Sequence, residues 1–206
     1  MSMLRFPNLN RAARGYTIIE IMIALTLLAI GTTGIVAMQK VTTIANRDAK
    51  NLVLANQIAR TWMDRLHADA VQWNHPSPLQ STSDLADTIW LRNVGNDWFR
   101  PVDDVMGSPT FDALGNDVRD TNMGGGNSIF CTNVRLAWLY GPPSPSPPYL
   151  MRAEVRVYWL RDGAGGVVMP GKTICDPGID LSTVSPAVDR YHFVYVTSAI
   201  AQNMAP

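Results

Sequence analysis

The chain has 206 residues, with 17 Lys plus Arg balanced by 17 Asp plus Glu. That length suits one domain and an added element, and the zero formal charge excludes a nucleic-acid binder held by bulk charge. Apolar residues make up 47%, enough for a real core, while two cysteines exclude a disulfide-dense scaffold and a Cys₄ zinc site.

Residues 1–15 form a basic leader, MSMLRFPNLNRAARG, with Arg5, Arg11 and Arg14 and no acid. From Tyr16 to Met38 the sequence reads YTIIEIMIALTLLAIGTTGIVAM, with a single charge. As a helix, roughly 23 residues at about 1.5 Å each span about 35 Å, enough to cross a bilayer core. The run is too long for the apolar part of a cleaved secretory signal, and no A-x-A-like site closes it. Lys40, Arg47 and Lys50 follow, diluted by Asp48. The bias puts the N-terminus in the cytoplasm and the C-terminus outside.

Glu20 is one of only two glutamates, with Glu154, and it lies inside this run. A carboxylate at the bilayer centre costs about 2.5–3.5 kcal/mol. Two readings stay open. Near the start of the run Glu20 can snorkel to the surface. Alternatively it has a specific cationic partner, which the run itself does not supply. A cut between Gly15 and Tyr16 would create one, the new α-amine of Tyr16 on a neighbouring chain, with a reference pKa of about 7.7–8. At about 4 Å and an effective dielectric near 20, the pair attracts by about 4 kcal/mol before desolvation.

Arg14-Gly15-Tyr16-Thr17-Ile18-Ile19-Glu20 resembles the class III signal of type IV pilins and pseudopilins. The resemblance implies that a prepilin peptidase cuts after Gly15 and that the new first residue, Tyr16, is N-methylated. Glu20 then falls on the family's assembly carboxylate. Tyr16 departs from the usual Phe but stays aromatic. Leu28–Gln39, Ala55–Arg60 and Met63–Asp69 are similar to the corresponding stretches of PilV-type minor pilins, so the resemblance covers about the first third of the chain. Gly31 and Gly34 each cost roughly 1 kcal/mol against Ala in a helix. Close helix packing at small residues and a weak point where the helix unwinds on assembly are equal readings of them.

Past Met38 the pattern becomes amphipathic. Leu52, Ala55, Ala59, Trp62 and Leu66 follow 3- and 4-residue steps, so residues 39–73 continue the helix as the spine of a soluble domain, to about Val71–Trp73. Pro76 and Pro78 end it.

Residues 74–206 read as an exported, β-rich domain. The stretch 84–120 holds eight Asp, and the cluster Asp112, Asp117 and Asp120 fits loop acids and turn caps better than a calcium loop. Gly124-Gly125-Gly126 is a turn and not a phosphate loop. Ile129–Tyr140 alternates, with Phe130, Val134, Leu136 and Trp138 on one side. Met151–Leu160 alternates more clearly, with Ala153, Val155, Val157 and Trp159 on one face and Arg152, Glu154 and Arg156 on the other. Residues 141–148 between them hold five prolines and read as a stiff hairpin loop. Tyr191–Ala201 is a third strand. The fold expected is α+β: a long N-terminal helix, anchor first and amphipathic spine after, packed on an antiparallel sheet of at least three strands. Cys131 and Cys175, 44 positions apart, suit a disulfide in an exported domain, with two free thiols as the alternative.

No G-x-S-x-G, H-E-x-x-H, C-x-x-C or nucleotide fingerprint is present, so no catalytic residue, metal or cofactor is assigned. The resemblance implies a structural and assembly subunit, not an enzyme. Its partners would be prepilin peptidase, the inner membrane, other minor pilins, the major pilin and a tip adhesin, with no nucleic acid. It would span the inner membrane once and then pass into the pilus. The alternatives are a minor pseudopilin of a type II secretion system and an unrelated membrane-anchored exported binding domain.

Overall fold

The computed structural model describes residues 15–74, 85–102, 107–118, 128–140, 149–161, 174–175, 179–184 and 187–202. The leader up to Arg14, Pro76, Pro78, Asp120, the triple glycine 124–126 and the proline stretch 141–148 lie outside the described residues. The chain divides into two units, 1–48 and 49–206.

In the first unit the helix α1 (Ile18–Asn74) runs through the apolar sequence. Its hydroxyls turn inward onto their own backbone. Thr26 Oγ1 donates to Ile23 O at 2.8 Å, Thr32 to Ala29 O at 3.0 Å and Thr33 to Ile30 O at 2.7 Å. Each hydroxyl is thus satisfied without water, which an apolar solvent demands.

In the second unit the later part of α1 packs on a five-stranded antiparallel sheet. Its strands are β1 (Trp98–Phe99), β2 (Thr110–Phe111), β3 (Phe130–Tyr140), β4 (Leu150–Leu160) and β5 (Tyr191–Ala201). The order is β1-β3-β4-β5, with β2 also on the outer edge of β3. Ala55, Ile58, Ala59, Trp62, Met63, Leu66, Ala70 and Trp73 form the buried face of the helix. Leu52, expected at the head of this stripe, is instead 48% exposed. It lies one turn before Ala55, the first position that the domain covers fully.

Phe130, Val134, Leu136 and Trp138 share the helix side of the sheet with Met151, Ala153, Val155, Val157 and Trp159, as the register requires. Trp73 meets Trp138 edge to face with centroids 6.0 Å apart, and His67 Nε2 lies 3.2 Å from Ser198 Oγ on β5. A second clamp comes from Asp69. Its carboxylate accepts the N–H groups of Ile89, Trp90 and Leu91 at 2.8, 2.8 and 3.0 Å. This holds the segment of short 3₁₀ turns against the helix and brings Trp90 edge to face with Trp62 at 5.3 Å.

The opposite face of the sheet carries Arg152, Glu154 and Arg156, as the alternation of β4 requires. Arg156 is fully buried there. Trp98 on β1 and the short helix α2 (Leu181–Val184) account for this cover. The guanidinium donates to Asn133 Oδ1 at 2.7 Å and Leu181 O at 3.4 Å, and it lies 4.3 Å from the centre of the Trp98 ring. Burial pulls its pKa below the ordinary arginine value, yet a guanidinium stays charged at any working pH. Glu154, its neighbour on the same face, pairs with Arg135 and Arg152. Periodicity alone could not separate a polar face covered by a Trp from one left in water.

Candidate processing and assembly segment

Gly15, Tyr16 and Thr17 precede the first turn of α1 and are not helical. Thr17 is the reason the helix starts where it does. Its Oγ1 accepts the Glu20 N–H at 3.3 Å, and its carbonyl accepts the N–H of Ile21 at 3.2 Å. Thr17-x-x-Glu20 therefore has the spacing of a capping box, with the threonine half in place. Neither snorkelling nor a neighbour's amine, the two readings of Glu20 from sequence, includes this local role. The sequence signal for that role is a Thr three residues before a Glu at a helix start.

This arrangement changes the electrostatics of Glu20. A carboxylate in the first turn sits at the positive end of the helix dipole, worth about 0.3–1 kcal/mol. Glu20 and Tyr16 are both exposed, Tyr16 at 79%. The Gly15–Tyr16 bond thus lies in accessible, non-helical chain, the form a peptidase can bind. Hydrolysis there would leave two residues, Tyr16 and Thr17, ahead of the helix. The new amine and the helix N-terminus would both be positive, and Glu20 is the acid in that first turn.

The helix that follows is apolar and uncovered. Among the described residues one helix is long and apolar enough to cross a membrane, with a mean hydropathy of 2.2 over its best window and none of that window buried within the chain. It is compatible with membrane anchoring. Gly31 and Gly34 lie in unbroken α-helix, and a Cβ at either would meet nothing within 4 Å. Among the described residues, neither glycine makes room for a packing neighbour.

The other residues singled out by sequence lie elsewhere. Cys131 at the start of β3 and Cys175 form a disulfide with Cα atoms 5.3 Å apart, both fully buried. Asp112 caps its own turn, accepting the N–H groups of Leu114 and Asn116 at 2.8 and 2.9 Å. Burial acts to raise its pKa, and those hydrogen bonds outweigh it, so the carboxyl lies below the ordinary value. Asp117 pairs with Arg65 at 3.2 Å and accepts the Ser108 N–H at 3.2 Å. Gly107 makes room for that arginine: its φ is +148° and a Cβ there would stand 2.2 Å from Arg65 Nη1. The His67–Ser198 contact has the look of half a hydrolytic triad, but both lie toward solvent and no acid among the described residues orients the imidazole. It ties helix to strand.

Neither the curated proteins nor the solved structures give a match to this chain. Residues 10–36, the end of the leader and nearly all of the apolar run, match the family described as the prokaryotic N-terminal methylation motif, the processing signal of type IV pilin-like subunits.

Proposed function

We propose that the chain is a minor pilin of a type IV pilus machine, resembling the PilV type. In this reading it is a structural and priming subunit, joined to other minor pilins near the pilus tip, with a tip adhesin as its cargo. It enters the inner membrane with its N-terminus in the cytoplasm, is cut between Gly15 and Tyr16, is methylated on Tyr16, and is then drawn into the fibre. The observation that carries this reading is the methylation motif at 10–36 running directly into an apolar helix that no described residue covers. Such a helix needs lipid first and neighbouring helices later. Glu20 sets the register, because it is penalised when buried alone and relieved beside a neighbour's Tyr16 amine.

Two measurements test the proposal. N-terminal mass spectrometry of the membrane-extracted protein should find a chain starting at methylated Tyr16 when prepilin peptidase is present, and the full leader when it is absent. An uncut chain in both samples would remove the reading. A strain lacking the protein should lose pili and still secrete its enzymes. The reverse phenotype would assign the chain to a type II secretion pseudopilus.

A further inference from the structure

The two edges of the sheet are finished differently. On the outer edge of β3 the chain seals itself. β1 and β2 pair there, Asn96 N–H donates to Leu136 O at 2.8 Å, and Thr132 N–H donates to Pro109 O at 2.8 Å. The other edge is β5. Gln202 N–H donates to Tyr149 O at 2.9 Å and Arg161 N–H donates to Arg190 O at 3.0 Å, and these two bonds bracket the β4–β5 ladder. They set its phase. Even-numbered residues of β5 give their backbone groups to β4, and odd-numbered residues direct theirs outward.

Tyr191, the first outward residue, is satisfied by its own chain. Its N–H donates to Ala187 O at 3.0 Å, and its carbonyl accepts from Arg161 Nε at 3.3 Å. From there the outward row of Phe193, Tyr195, Thr197, Ala199 and Ala201 meets no backbone partner among the described residues. Tyr195, Thr197, Ala199 and Ala201 are exposed. Edges of this kind are normally protected by Lys, Pro or a bulge. Tyr191–Ala201 has no Lys, Arg, Asp, Glu, Pro or Gly, and its register with β4 runs without a break.

We propose that the outer edge of β5 is a docking site for an extended strand of a different exported chain, added antiparallel so that its backbone completes the open row. The side chains of the row state what fits. Ala199 and Ala201 leave room for large apolar residues opposite them, while Phe193 and Tyr195 call for small or β-branched ones. The partner strand is uncharged and alternating, with its bulk toward its own N-terminal half. A second copy of β5 has that pattern too, since pairing about Thr197 sets Tyr195 beside Ala199. Such a pair is two-fold symmetric and turns the two helix segments on the sheets in opposite directions, whereas chains drawn from one membrane point the same way. That exclusion of a second copy rests on the anchored-subunit reading; the open edge does not.

The test places the photo-crosslinker p-benzoylphenylalanine at Thr197 of the full-length chain in its producing cells, with adducts identified by mass spectrometry. The expected product joins position 197 to an uncharged extended segment of another exported protein. Ala199→Pro, which deletes an outward donor and no bond to β4, should lower its yield about tenfold. Should that variant fail to fold, Ala199→Lys leaves the backbone whole and reads the same way through a charge on the edge. An adduct between two copies, or no adduct from a processed chain, overturns the proposal. The N-terminal mass is read on the same sample. An uncut chain that still gives the hetero-adduct supports the docking site while removing the pilin-type reading, so the two failures are distinct.

Discussion

Glu20 occupies the first turn of a helix capped by Thr17, and both halves of its role are electrostatic. The dipole favours its charge within one chain, and a neighbour's amine would favour it between chains. These separate by substitution. Glu20→Ala leaves the Thr17 cap in place, so the melting temperature of the domain should hold while incorporation into sheared fibres falls. Thr17→Ala should do the opposite. It should fray the helix start by about 1 kcal/mol, visible as faster amide exchange at residues 18–21, and leave incorporation largely intact. Fibres of normal yield from Glu20→Ala would remove the intermolecular role. Asp69 offers a contrast, because its three backbone bonds are wholly internal and buried. Asp69→Ala orphans those donors and should cost about 3 kcal/mol in a denaturant melt, with Asp69→Asn in between. Tyr158 gives the pH test. Its hydroxyl is buried and donates to Ile174 O at 3.1 Å, and burial raises its pKa from 10.0 to about 12. The unfolded chain therefore loses this proton first. The contribution is fully present below about pH 10, falls as the pH rises toward 12, and levels off beyond. Tyr158→Phe should flatten that alkaline slope, whatever it does to the neutral-pH stability.

At the scale of elements, strong periodicity was easy to read and short or covered pieces were not. The helix, β4 and β5 declare themselves through long runs of one period, and they begin and end within a residue or two of expectation. β1 and β2 are two residues each, too short to show a period, and they exist because the edge of β3 needs covering. The face of Arg156 was legible for β4 but its burial was not, since its cover is Trp98 on one of those strands. The glycines of α1 remain the element-scale question. Gly31→Ala with Gly34→Ala strengthens the helix by roughly 1 kcal/mol per site while keeping both residues small. The helix is unbroken through both positions, so incorporation should persist, and Gly31→Leu should block it by bulk. Loss of incorporation in the double Ala variant would instead favour a segment that must unwind.

The whole molecule separates two demands on one chain. Residues 1–48 carry the processing signal and an apolar, exposed stretch of helix, and residues 49–206 carry the core, the clamp at Asp69 and the disulfide. The first demand is written locally, in a motif and a run of apolar residues, and so was legible without a structure. The second depends on which distant residues meet. That the pair Cys131 and Cys175 would close was open to sequence reasoning, but what it fastens was not: Cys175 lies beside Ile174, whose carbonyl receives the Tyr158 hydroxyl. The disulfide and that hydrogen bond hold one short turn against the sheet face opposite α1. Closing a loop with a sequence separation of 44 stabilises by about 4 kcal/mol through loss of unfolded-state entropy. Replacing both cysteines with Ser should therefore lower the denaturation midpoint of the domain by that order and loosen the 174–175 turn, read as faster backbone exchange there. Processing at Gly15–Tyr16 should be unchanged, because both residues are exposed and precede the helix. A variant whose midpoint stays put would mean that burial alone holds the turn, and a destabilised variant left uncut would mean that processing waits on a folded domain.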